Sequence, residues 1–135
     1  MKDKDCLVCN SIGLLILRVG FGIYMLTHGI PKLMGFAQMA DKFPDPIGLG
    51  SQLSLVLAIS AEVGCSLLLI LGLFTGYACI PLAFTMLVAC FVIHASDPWK
   101  AKELAVAYLT VYLALGFLGA GKYSLDYKFW HKENV

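Results

Sequence analysis

Ser11–Ile30 reads SIGLLILRVGFGIYMLTHGI and decides the fold. Arg18 is its only full charge, and about twenty helical residues at 1.5 Å each cross the ~30 Å hydrocarbon core of a bilayer. A second stretch, Ser51–Phe74, again carries a single charge, Glu62. Two further apolar runs follow, Tyr77–His94 and Glu103–Leu118. A charged side chain at the centre of a membrane helix costs about 2.5–3.5 kcal/mol, so Arg18 and Glu62 each require compensation. They are expected either to meet inside a bundle or to border a polar cavity.

Composition agrees. Apolar residues make up 59% of the 135-residue chain and charged residues 14%, against roughly a quarter charged in soluble domains. Mean hydropathy is +0.80. The expectation is an all-α, integral membrane four-helix bundle occupying residues 1–135 as a single membrane domain, with an interfacial segment between the first and second spans. A net charge of +1 with scattered lysines argues against nucleic acid as a partner. The first run follows Met1-Lys2-Asp3-Lys4-Asp5 and lacks a small-x-small cleavage site, so it reads as an anchor rather than a signal peptide. Cys65, Cys79 and Cys90 fall in apolar runs and read as packing residues. Cys6 and Cys9 form a Cys-x-x-Cys ahead of the first span, a redox candidate, although zinc would need two further ligands. The plain alternative is a pair of incidental thiols.

Thr75-Gly76 alone joins the second and third spans and predicts a tight hairpin. Between the first two spans, Phe36, Met39 and Phe43 at helical spacing precede Pro44, Asp45, Pro46, Gly48 and Gly50. That pattern predicts a short interfacial helix and an extended turn over one mouth of the bundle. Asp97-Pro98 suggests an N-cap with proline opening the fourth helix. Four spans place both ends on one side, where Lys2, Lys4, Lys122, Lys128 and Lys132 outnumber Lys32, Lys42, Lys100 and Lys102 opposite. This small excess favours cytoplasmic termini. Tyr123, Tyr127, Phe129, Trp130 and Trp99 are placed as interfacial anchors.

Counting rise from the terminal face puts Arg18 about 10 Å deep, Glu62 about 18 Å, and His28 and His94 about 25 Å. With Lys32 and Glu103 these form a polar column. Arg18, Gly22, Met25, Gly29 and Lys32 repeat at four-three spacing and share one stripe of the first helix. Ser54, Ala58, Ala61, Glu62, Cys65 and Ser66 offer a small-residue surface to meet it. Arg18 is therefore expected to reach toward Glu62, directly or through water or a ligand. Plainer alternatives stand beside this: an Arg18–Glu62 pair that only fixes helix register, histidines satisfied separately at the interface, and Lys32 and Lys100 as snorkelling cations. A bis-histidine haem would need facing helices and is disfavoured.

An arginine, a glutamate and imidazoles suit protons and an oxygen-bearing ligand such as a quinone. Its ring would lie near Phe21, Met25, Leu68 or Phe91. In that scheme Glu62 and His28 act catalytically while Arg18, His28, Lys32, Glu62, His94 and Glu103 bind the ligand. No flavin, nicotinamide or phosphate motif is present, so electrons would come from a soluble or membrane redox partner. Further copies of the chain are a second partner to expect, alongside the lipid bilayer.

The ordered series Arg18, Thr27-His28-Gly29 with Lys32, Ala61-Glu62-Val63-Gly64, Leu71-Gly72-Leu73-Phe74-Thr75, His94, Glu103-Leu104-Ala105 with Tyr108-Leu109, and Gly119-Ala120-Gly121 with Ser124-Leu125-Asp126 resembles the DoxX family. The resemblance runs from about Leu14 to Asp126. It implies a four-helix inner-membrane protein, grouped with quinone-linked oxidoreductases because relatives resemble a subunit of thiosulfate:quinone oxidoreductase. Gly76 departs from it where relatives often carry a basic residue, and Cys6 and Cys9 lie outside it. Three functions compete: a quinone-interacting component of a membrane oxidoreductase, a small-solute or lipid transporter, and a scaffold recruiting a soluble redox enzyme. Disulfide generation ranks below these, since it needs a second cysteine pair and an oxidising compartment.

Overall fold

Helix is the only regular structure that satisfies the backbone hydrogen bonds of isolated apolar segments in lipid, and all four predicted runs are helical. The computed structural model describes residues 2–131, and Lys132, counted in the orientation argument, lies outside them. The elements are α1 (Lys2–Met34), α2 (Phe36–Met39), α3 (Ser51–Leu71), α4 (Thr75–Ile93), α5 (Trp99–Leu118) and α6 (Leu125–Trp130). Helices α1, α3, α4 and α5 are each long and apolar enough to span a membrane. Packing runs α1 on α3, α3 on α4, α4 on α5 and α5 back on α1, which closes a four-helix ring. Met25, Leu69, Leu82, Met86, Tyr108 and Tyr112 fill its centre. Large apolar side chains such as Tyr77, Ile80, Phe91 and Phe117 point outward, the last 91% exposed, as a lipid-facing surface requires.

The stripe read from α1 is real. Arg18, Gly22, Met25 and Gly29 are buried and Lys32 is half-buried. Gly29 allows the closest approach: a Cβ there would stand 2.9 Å from the Glu62 Cβ and 2.8 Å from a Val63 methyl. Small residues on both helices thus bring the α1 and α3 backbones together beside the buried Glu62 carboxylate.

Arg18 does not meet Glu62. Its guanidinium is fully buried and its Nη atoms donate to the carbonyls of Leu69 (3.0 Å), Ile70 (3.1 Å) and Tyr123 (2.7 Å). The first two belong to the last turn of α3, where the helix dipole is negative and carbonyls run short of partners: Leu69 O accepts also from the Gly72 N–H at 3.1 Å. A planar fork with five donors suits a cluster of carbonyl oxygens better than an ammonium does. The expected Arg18–Glu62 pair is corrected for that reason: the acceptors that Arg18 finds are backbone carbonyls.

The hairpin tip also differs from expectation. It is formed by Gly72 to Phe74, and Thr75-Gly76 already lie in α4. Gly72 ends α3 in the left-handed region at φ 67°, where any Cβ would press on the Arg18 guanidinium and on Ser124. Phe74 shares that conformation at φ 50°. Asp126 holds the strained tip, accepting from the Phe74 (2.7 Å) and Thr75 (2.9 Å) N–H groups while its own N–H donates to Gly72 O (2.8 Å). Ser124 caps α6 by accepting from the Tyr127 N–H. The Gly119–Asp126 segment is therefore a clasp across α1, α3 and α4.

At the opposite end Asp97 does not cap α5. Its Oδ2 lies 2.6 Å from His94 Nδ1, and Pro98 occupies the cap position without a side-chain bond. The imidazole, three residues away, competes successfully for the carboxylate.

Replacing Arg18 by Leu orphans the Ile70 and Tyr123 carbonyls and leaves Leu69 O with the Gly72 N–H alone, and should lower stability by about 3 kcal/mol, while Asp126→Ala should cost about 1–2 kcal/mol. Unfolding of the micelle-bound protein measures both. An Arg18→Leu variant as stable as the parent would contradict the clasp.

Candidate functional site

Both long spans that face the far mouth depart from regular α-helix there. Ser60–Cys65 in α3 and Ala89–Ile93 at the end of α4 are π-helical turns, the second closed by a His94 N–H donating to Ala89 O at 2.9 Å. A π turn inserts one residue, rotates the helix beyond it and often marks a functional site. Here the two wide turns flank the same space, a cavity of about 440 Å³. That volume falls in the usual range of small-molecule sites, roughly 300–1,000 Å³.

The cavity's wall is apolar over most of its extent: Leu57, Ala58 and Ala61 from α3, Pro81, Phe84 and Val88 from α4. The α2–α3 connection roofs it with Phe43, Pro44, Pro46 and Ile47. Asp45 fastens this roof. Its carboxylate accepts from the Leu49 N–H (2.8 Å), the Gly50 N–H (2.9 Å) and Ser54 Oγ (2.9 Å), which ties the loop to the first turn of α3. The Gly50 N–H above all, with Ser54 and Leu49 assisting, holds the Asp45 carboxyl below its ordinary value of 3.8.

Three ionisable side chains enter this greasy space. Lys32 Nζ lies 2.6 Å from each Glu62 oxygen, and Glu62 is buried at 4% exposure while Lys32 keeps a quarter of its side chain exposed. Phe43 stands under the same ammonium, its ring centroid 5.9 Å away. His94 completes the set, its Nδ1 on Asp97 and its ring at the cavity wall. The Nδ1 contact leaves Nε2 free for another partner.

Of the residues expected to bind a ligand, Lys32, Glu62 and His94 converge and the others do not. Arg18 is held in the clasp at the other end. His28 packs edge-on against Tyr108 of α5, with ring centroids 5.9 Å apart, and does not line the cavity. Glu103 is exposed at the start of α5. The ring site expected near Phe21, Met25, Leu68 or Phe91 does not form: Phe21 packs on Tyr108, Met25 is core and Phe91 faces outward. Lys32, weighed as a simple snorkelling cation, is instead half of an ion pair. Cys6 and Cys9 are free, exposed thiols near the far end of α1, and 23 helical residues, about 35 Å, separate Cys9 from Lys32. Among the described residues there is no group of three or more His, Cys, Asp or Glu able to hold a metal ion.

Sequence reasoning placed this connection over one mouth of the bundle but missed Phe43, Pro44, Pro46 and Ile47 as cavity lining and the anchoring role of Asp45. An aspartate six residues ahead of a helix whose first turn carries a serine was the available signal.

Residues 13–95 match the DoxX family, which spans the clasp arginine, the ion pair and the cavity. The chain belongs to the DoxX family. Two Haemophilus influenzae proteins, both described as uncharacterized, are similar to it along nearly their whole lengths: one is 31% identical, covering 91% of this chain and 89% of its own, the other 32% identical, covering 88% and 92%. No solved structure matches. The family places the DoxX chain among membrane proteins, and its four long apolar helices agree.

Lys32→Met leaves the Glu62 carboxylate unpaired and should cost about 2 kcal/mol, between exposed and fully buried pairs, with Lys32→Met plus Glu62→Leu recovering most of it. A double-mutant cycle on unfolding reads the coupling, and additive losses would mean the pair is incidental. The Asp45 anchor has its own signature. Because its folded pKa is depressed, its contribution is complete above the ordinary carboxylate value and is lost as pH falls through the lower folded one. Protection of the Leu49 and Gly50 amides relative to their intrinsic exchange rates should therefore fall only below about pH 4, and Asp45→Ala should show the low protection at every pH.

Proposed function

We propose that this DoxX protein binds a quinone headgroup in the cavity under the α2–α3 roof, as a component of a membrane oxidoreductase system of the bacterial inner membrane. The observation that carries the proposal is a single ion pair, Lys32–Glu62, set in the wall of an otherwise apolar cavity of about 440 Å³. A flat ring with two carbonyl oxygens matches such a lining: apolar faces above and below, and a charged donor at one edge. The donor set fits. With two of its hydrogens directed at Glu62, Lys32 retains one N–H to give to an acceptor oxygen. His94, fixed through Nδ1 by Asp97, presents Nε2 for a second hydrogen bond or a proton.

A bound quinone supplies two-electron, two-proton chemistry. The chain's own residues hold and orient it and exclude water through the apolar roof; the Lys32 ammonium and a protonated His94 each give a proton to a reduced oxygen, and the Glu62 carboxylate, hydrogen-bonded to Lys32, takes up and passes on the replacement proton. Electron delivery belongs to a partner protein. Glu62 keeps a place in the proton route, His94 takes the catalytic part expected of His28, and Lys32, expected as one of several ligand contacts, serves without Arg18.

Calorimetric titration of the purified protein with a short-chain quinone tests this. Lys32→Met removes a charge-assisted hydrogen bond and should weaken binding by about 10-fold or more, as should the loss of ring contact in Phe43→Ala. His28→Ala should bind normally. Equal affinity in Lys32→Met and the parent would end the proposal, and solute uptake by reconstituted vesicles without an electron donor would favour transport through the same cavity.

A further inference from the structure

The helix that carries Lys32 at one end carries a pair of thiols at the other. α1 is 33 residues long, about 50 Å, and overshoots a ~30 Å hydrocarbon core. Its last tie to the clasp is Ser11, whose Oγ accepts from the Lys122 N–H at 3.4 Å. Residues Asp3–Asn10 lie beyond that tie and are exposed throughout. Cys6 and Cys9 belong to this projecting stretch, both free. Because the helix is unbroken, the two thiols fall three residues apart on one face.

That spacing discriminates between their chemistries. Cβ atoms three apart on a helix stand about 5–6 Å from each other, whereas a disulfide requires about 3.5–4.5 Å. Closing the bond would mean unwinding the turn. A metal ion held linearly between two sulfurs, at bond lengths near the ~2.3 Å of zinc thiolates, sets them about 4.5 Å apart, which the same Cβ positions can supply. Two protein ligands are also all that this face offers, since no group of three or more His, Cys, Asp or Glu suited to a metal exists among the described residues. A tetrahedral ion would be left half-coordinated. Thiolates with low coordination number select a soft monovalent cation.

We propose that Cys6 and Cys9 form a two-coordinate site for one soft thiophilic cation of the Cu(I) class per chain. Binding is ligand exchange without electron transfer: two S–H protons leave to solvent and two S–Cu bonds form. The site is independent of the cavity, about 35 Å away along α1.

The test is an anaerobic Cu(I) titration of the full chain in detergent against a coloured chelator. One ion per chain should be retained, and Cys6→Ser or Cys9→Ser should each weaken retention by at least about 100-fold. Both side chains are exposed, so these variants keep the fold, and Cys65, Cys79 and Cys90 serve as internal controls. Adding Val8→Cys to Cys9→Ser restores the number of thiols but places the new one two residues from Cys6, on another face of the helix, and should not restore binding. Retention unaffected by either serine variant would overturn the proposal by assigning the ion to the inner cysteines. One ion per two chains, or recovery through Val8→Cys, would overturn it equally.

Discussion

A charge in hydrocarbon must find its counter-group within the protein, and the whole bundle is arranged around two answers to that demand. Arg18 answers with backbone carbonyls. Lys32 and Glu62 answer with each other. The first solution uses groups that every helix end leaves unsatisfied, so a single side chain ends α3, binds the segment after α5 and fixes α1 against both. No ligand is needed and none has room: the guanidinium is fully enclosed. The second solution lies beside a space that protein atoms do not fill.

The two ends of the molecule therefore differ in kind. At the clasp, Gly72, Phe74, Asp126 and Arg18 lock one another, and two residues in the left-handed region are held by hydrogen bonds to Asp126 and packing on Arg18. At the mouth, α3 and α4 both widen into π turns, and the closure is a proline-rich loop fastened by one carboxylate.

Much of this was legible in the amino-acid order, and the reasons for the exceptions are specific. The spans were readable because lipid imposes a length and an apolar composition that few other constraints mimic. The Arg18 to Lys32 stripe was readable because a continuous helix preserves its period. The partner of Arg18 was not, because carbonyl acceptors are present at every residue and have no sequence signature. Depth counting set Arg18 and Glu62 about 8 Å apart and so kept their pairing open; it could not show that α3 ends where Arg18 can reach its last carbonyls. The hairpin tip was misplaced by two or three residues for a related reason: Phe74 adopts a positive φ that only the distant Asp126 stabilises. Asp97 obeyed competition between two local acceptor roles, and its choice of His94 over a helix N-terminus is not encoded in spacing alone.

The cavity results from the same geometry. Gly29 lets α1 run against Glu62, so the carboxylate is walled on one side by backbone and can be reached by Lys32 only from one turn further along the same helix. The ammonium is consequently drawn inward from the interface where a lysine at that position would otherwise snorkel. Drawing it inward leaves it a quarter exposed, at the boundary between the bundle and the space beneath the roof. A bulkier residue at 29 would push α1 away, widen the distance from Lys32 to Glu62 and release both charges toward the headgroups. The polar edge of the cavity thus depends on the absence of one methyl group on the neighbouring helix.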